Sequence, residues 1–195
     1  MATMRAIGAV GAALVGLIQE RYPRSEFGST LEIDLYQTRN FTTPMTDGIS
    51  VFLYRIAVNA TTRNFPPRRT PDGRTFRPSL PIDLNVMITP WAESAQRHHR
   101  LLGWVMRMLE DIGTLTASQL NHYIAETDTF APDEALEIVC EPLALSDYFT
   151  IWDRLRTLPT SATYVLRMLR LDSDIENTEA PLVRTRQFGL SEFQR

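Results

Sequence analysis

Between Leu80 and Pro90 the apolar residues Leu80, Ile82, Leu84, Val86 and Ile88 fall on every second position, and Asp83, Asn85 and Met87 lie between them. A period of two puts the first set on one face of a β-strand, so the stretch predicts a strand with one dry face. Pro90 offers no N–H to a ladder and marks its expected end. Glu93 and Ser94 then open a helix. Along it Leu101, Leu102, Val105, Met108, Leu109 and Ile112 recur at spacings of three and four, with Arg97, Arg100, Arg107 and Glu110 mostly off the stripe. Gly113 is the expected stop.

The rest of the chain repeats this alternation. Ile7, Val10, Leu14, Leu17 and Ile18 share one face of an opening helix, where Gly8, Gly11 and Gly16 permit close packing; Tyr22 to Ser29 reads as a loop broken by Pro23 and Gly28. Leu31, Ile33 and Leu35 alternate with Glu32, Asp34 and Tyr36 as a half-exposed strand. Ile49 to Val58 is apolar on both faces and so predicts a central strand. An Asp72-Gly73 pair between polar arms predicts the tip of a protruding hairpin. Ser118 to Ala125 predicts a short helix and Glu134 to Glu141 a strand. Ser146 is the expected cap of a helix that packs through Phe149, Ile151, Trp152 and Leu155 and stops at Pro159. Ser161 to Leu171 is the last strand. The whole predicts a single α+β domain over residues 1–172, a mixed, mostly antiparallel sheet of about five strands with about three packed helices. A tail at 173–195 is left to add an edge strand or dock on a neighbour.

Composition adds little to this. A chain of 195 residues with 44% hydrophobic and 22% charged content has the make-up of a globular domain. A net charge of −3 argues against nucleic acid as the main partner. The run Ala6–Ile18 is too short to span a bilayer, which takes about 20 residues, and it leads into Gln19, Glu20 and Arg21 without a cleavage pattern, so no signal peptide is expected. All 20 basic residues are arginine. Five of them, Arg63, Arg68, Arg69, Arg74 and Arg77, fall in the proline-rich stretch from Asn59 to Ser79, either as a solvated loop or as a docking arm for an acidic surface.

Candidate chemistry is sparse. His98 and His99 are neighbours on a helix, about 100° apart, and cannot share one ion; a solvated face is expected for them. His122 has no partner at a metal-ligand spacing. Cys140 reads as a packed thiol rather than a nucleophile. Asp172, Asp174 and Glu176 imitate the start of a calcium loop, but Asn177 stands where that loop needs glycine. Neither a phosphate-binding loop, a GxSxG elbow nor an HExxH pair is present. The expectation is no catalytic residue, no metal and no cofactor.

Three blocks taken together carry a family resemblance. They are ISVFLYRIAVNATTRN from Ile49, LPIDLNVMITPWAE followed by HRLLGWVMRMLEDIGTLT, and ALSDYFTIWDRLRTLPTSATYVLRML from Ala144. Their order and spacing resemble the tail-terminator, or cap, family of phage-tail-like contractile injection systems, from the opening helix to about Asp172. Two departures stand out: Asn85 and Val86 occupy a region where relatives often carry an aromatic, and some relatives continue into further C-terminal domains.

The resemblance implies a tail-terminator-like fold and a structural protein rather than an enzyme. Members form a sixfold ring on the distal end of the inner tube, halt tube growth and hold the last sheath ring. The implied partners are copies of the chain itself, the inner-tube protein and the sheath protein, with no nucleic acid and no membrane span. Assembly is expected in the cytoplasm, within a particle that is retained or released. Arg63, Arg68, Arg69, Arg74 and Arg77, with Leu182, Arg184, Arg186 and Phe188 of the tail, are the candidate assembly interface. The competing readings are another neck, sheath-associated or baseplate part of such a particle, and a small ligand-binding or enzymatic α+β domain.

Overall fold

Ile82, Leu84, Val86 and Ile88 are buried at the centre of the molecule, on a strand hydrogen-bonded along both edges. A computed structural model describes residues 4–62, 64–125 and 129–177. Along these run helices α1 (Ala6–Arg21) and α2 (Arg24–Phe27), strand β1 (Glu32–Tyr36), a 3-10 turn (Thr38–Thr42) and β2 (Gly48–Val58). Two short strands follow, β3 (Arg68–Arg69) and β4 (Thr75–Phe76), then β5 (Leu80–Trp91), α3 (Ala95–Ile112), β6 (Thr114–Thr116) and α4 (Ala117–His122). The last elements are β7 (Ala135–Cys140), α5 (Leu145–Leu155) and β8 (Ala162–Leu171). Among the described residues, six strands form one sheet in the order β1-β2-β5-β8-β7-β6, and β3 and β4 form a separate hairpin. Only the pair β1–β2 in that sheet is parallel, so the sheet is mixed and mostly antiparallel, as the pattern predicts.

One face of the sheet is covered by α1, α3 and α4. Val10, Leu14, Leu17, Leu101, Val105 and Leu109 meet the alternating positions of β2, β5, β7 and β8 there. Each such side chain contributes about 1.5–3 kcal/mol by leaving water. Ser94 caps α3 by accepting from the Arg97 N–H, and Gly113 ends it at φ 62°, both as expected. The Arg97 guanidinium forks onto the Asp47 carboxylate at 2.6 and 2.8 Å and also donates to the Phe27 carbonyl. It thereby ties the start of α3 to the segments before β1 and β2.

The other face is where the pattern misleads. Met87 and Thr89 are fully buried on it, so the central strand is dry on both sides from Val86 to Trp91. Tyr36, Phe41, Met87, Trp91 and Leu158 form a second, smaller core, closed by the 3-10 turn and by Tyr148, Ile151 and Leu155 of α5. Its polar groups are satisfied in series. Trp91 Nε1 donates to Ser50 Oγ at 2.8 Å, Ser50 Oγ donates to the Thr89 carbonyl, and Thr89 Oγ1 shares a hydrogen with Ser161 Oγ at 2.7 Å.

Several boundaries differ from expectation for local reasons. β5 runs through Pro90 to Trp91, because β8 pairs no further than Ala162 opposite Ile88 and proline is tolerated where a strand has lost one neighbour. β2 is not central throughout: β1 covers it only from Gly48 to Phe52, and Arg55, Ile56 and Val58 are exposed beyond that. α5 is capped at Ala144 rather than Ser146 and ends at Arg156, in the left-handed region at φ 61°, before Pro159 is reached. The loop expected at Tyr22 to Ser29 contains the single turn α2.

Candidate assembly surfaces

The arginine-rich stretch folds as the hairpin that Asp72-Gly73 predicts. Arg68 pairs with Phe76 and Arg69 with Thr75; Gly73 sits at φ 86° in the turn, and its N–H reaches the Thr70 carbonyl. Thr70 Oγ1 and the Arg74 guanidinium both donate to Asp72 and hold its carboxyl down at about 2. The hairpin does not stand free. Arg77 N–H donates to the Ile175 carbonyl, Asn177 N–H donates to the Thr75 carbonyl, and Phe76 bridges Glu176, so residues 172–177 lie along β4 as a third strip.

This arrangement divides the predicted arginines. Arg68 turns inward, 4.5 Å over the Phe76 ring and 3.5 Å from Asp172, with its guanidinium donating to the Ser173 carbonyl. Arg74 folds back onto Asp72 and Phe76. Arg69 and Arg77 are exposed. Arg63, Leu182, Arg184, Arg186 and Phe188 lie outside the described residues.

A second surface escaped the pattern. Leu145, Phe149 and Trp152 form a stripe at i, i+4 and i+7 on α5 and are 69%, 50% and 46% exposed. The Phe149 and Trp152 rings stack at 6.0 Å and 25°. Ile151 and Leu155 pack as expected, joined by Tyr148 in place of Phe149 and Trp152. A helix this short with two apolar stripes has more apolar surface than one core contact uses, and that excess is the signal in the sequence.

The third surface is the β1 margin. Leu35, 39% exposed, lines an apolar cavity of about 330 Å³ with Gly8, Gly11, Leu53, Leu84 and Val86 among others, and farther along β2 Ile56 and Val58 are 49% and 50% exposed. Toward the sheet's other side Cys140 is exposed, not packed, at the end of β7 that β6 leaves uncovered. His98 is also unlike the expectation: it is buried, with Nε2 2.8 Å from the Thr160 carbonyl, bracing α3 against the segment before β8. Among the described residues no group of three His, Cys, Asp or Glu is placed to hold a metal, and no helix is long and apolar enough to cross a membrane.

A family described as the Pvc16 N-terminal domain matches residues 9–185. Two solved structures share the fold. One is the PVC sheath/tube terminator of an extracellular contractile injection system in its extended state: 16% identity, TM-score 0.60, covering 98% of this chain and 64% of that one. The other is the tube-terminating cap of the anti-feeding prophage: 17% identity, TM-score 0.50, covering 93% of this chain and 60% of that one. The chain thus spans less than two thirds of either structure's length. No curated protein matches it in sequence.

Proposed function

We propose, because this chain belongs to the family of Pvc16 N-terminal domains, that it is a structural cap of a contractile injection system. In this reading, copies of the chain form a ring, a hexamer, on the distal end of the inner tube. The ring stops tube growth and anchors the last ring of the sheath, and the particle is assembled in the cytoplasm. The observation that carries the reading is a fold shared over 98% of the chain with a sheath/tube terminator. The three surfaces support it. A ring needs two different, mutually complementary patches on each subunit, and a domain with an exposed aromatic stripe, an outward arginine pair and an open sheet margin has surfaces to spare.

Within this proposal Arg69 and Arg77 take the role expected of the arginine arm, toward a tube, sheath or neighbouring subunit. Arg63 and the tail residues Leu182, Arg184, Arg186 and Phe188 are assigned to the same interface. The test is to polymerise the matching inner-tube protein with increasing amounts of this chain and image the tube ends by electron microscopy. Tubes that shorten in proportion to added protein, with a ring-shaped plug at one end only, are the expected result. Unchanged tubes with bare ends overturn the reading.

A further inference from the structure

We infer that the outer edge of β1 is a receptor for the tail of a second copy, with Glu32 and Asp34 taking Arg186 and Arg184 of the incoming chain. This rests on the ring proposed above and names its contact.

β1 is the first strand of the sheet, and its outer side has no strand beside it among the described residues. The Glu32 N–H goes to the Asp47 carbonyl on the β2 side, so alternation turns the backbone groups of Ile33 and Leu35 outward. An outward row of this kind accepts an added strand. At one place the row is already stoppered: the Leu35 N–H donates to Asp34 Oδ1 at 2.8 Å. An arginine that draws the Asp34 carboxylate away frees that N–H for an incoming carbonyl, so charge recognition and strand pairing occur together.

The tail sequence fits this edge in one antiparallel register. Arg184 and Arg186 are two positions apart, as are Asp34 and Glu32, so both charge pairs fall on one face of the extended sheet. Thr185 then lies opposite Ile33, Leu182 opposite Tyr36, and Val183 opposite the half-exposed Leu35. Pro181, which has no N–H to donate, falls opposite Gln37, one residue past the end of β1.

The donor is a neighbour because the chain's own tail does not reach. Tyr36 stands beside Phe52, which pairs with Met87, whereas the tail departs from β8 opposite Leu80. From Leu80 to Met87 the sheet rises about 24 Å, and β1 lies three strand spacings, about 14 Å, from β8. The extension past Leu171 leans away from β1: the hairpin that carries it faces Ala131, Asp133 and Arg170 across a cavity of about 360 Å³. Asn177 to Leu182 spans at most about 18 Å when fully extended, short of the roughly 28 Å diagonal. An acidic edge on one side and a basic strand on the other make a heterologous contact, the kind that closes a ring.

The experiment is sedimentation velocity of the full chain over a range of concentrations. It compares wild type, E32R/D34R, R184E/R186E, the four-substitution swap, and Thr185→Pro, which removes a tail N–H without touching the described fold. Far-UV circular dichroism and melting confirm that each variant is folded. Each charge pair reversed alone, and Thr185→Pro, should weaken self-association by at least about tenfold, and the swap should restore it. A chain that is monomeric throughout, variants that associate like wild type, or a swap that fails to restore association overturns the inference. The tube-ending assay separates the two readings. Wild type that ends tubes beside a swap that does not rescue removes this contact and leaves the cap. Rescue beside wild type that leaves tubes growing keeps the contact and removes the cap.

Discussion

Asp83 Oδ1 accepts the backbone N–H of Met168 at 3.1 Å, and Met168 holds a left-handed φ of 69°. The two face each other where the register of β5 and β8 slips between Ile82 and Leu84, so the carboxylate takes the N–H that the bulge withdraws from the ladder. The same carboxylate accepts both bonds from Asn59 Nδ2, and Asn59 Oδ1 in turn caps Thr61 and Thr62 at the exit from β2. Asp83→Ala strands the bulge N–H and the Asn59 amide together and should cost about 1–3 kcal/mol. Asp83→Asn, which keeps an acceptor, should cost less; urea denaturation of the full chain reads the difference.

Arg156 closes α5 from the left-handed region, with its N–H on the Trp152 carbonyl and its side chain exposed. Glycine at this position removes a backbone cost without losing a packed group. Arg156→Gly should stabilise the fold by about 0.5–1 kcal/mol, read as a higher urea midpoint at an unchanged slope.

A Cβ on Gly16 would lie 2.5 Å from the ring of Tyr123, which follows α4 and meets α1 there. Overpacking of this kind costs about 1–3 kcal/mol, and alanine's better helix propensity offsets only part of it. Gly16→Ala should lower the melting temperature, and the loss should shrink in a Tyr123→Ala background.

The tyrosines make the fold sensitive to alkali. Burial raises the phenols of Tyr36, Tyr54, Tyr148 and Tyr164, and burial followed by the hydrogen bond to Glu20 pushes Tyr123 up to about 12. A fold that favours the neutral phenol gains stability that is fully present below the unfolded value near 10 and is lost as pH climbs through the folded values. The unfolding free energy should therefore fall above about pH 10, and Tyr123→Phe should make the fall shallower.

Arg68 and Arg69 are neighbours in the sequence with opposite duties. Arg68→Glu places a carboxylate against Asp172 and should destabilise the hairpin by about 1–3 kcal/mol, whereas Arg69→Glu should stay within about 0.5 kcal/mol of wild type. Thermal melts distinguish them. Arg69 and Arg77 are therefore the positions at which a charge reversal tests assembly without also testing folding.

The elements whose period serves a single face are legible in the sequence alone. The α3 stripe, the Ser94 cap, the Gly113 stop and the Asp-Gly hairpin all follow from local rules that packing does not contradict. Misreadings arise where a residue serves two surroundings. Met87 looks like part of the wet face of β5, yet the 3-10 turn and α5 come from distant sequence to bury it. Phe149 and Trp152 look like core and are not, because Tyr148, Ile151 and Leu155 already fill the contact. The inward turn of Arg68 depends on Asp172 and Ser173, over a hundred positions away, and no spacing rule reports it.

The hairpin's third strip has a mechanical meaning. Residues 172–177 continue directly from β8, which is held by β5 on one side and β7 on the other. Tension applied to the chain beyond Asn177 along the strand axis enters the sheet at an inner strand, where it loads the β5 ladder in shear from Leu171 and the β7 ladder from Arg167 onward, instead of peeling an edge bond by bond. The strip beside β4, held by the Arg77–Ile175 and Asn177–Thr75 backbone hydrogen bonds, lies ahead of those ladders in the line of such a load. A pull on this end of the chain therefore meets the strip before it meets the core of the sheet.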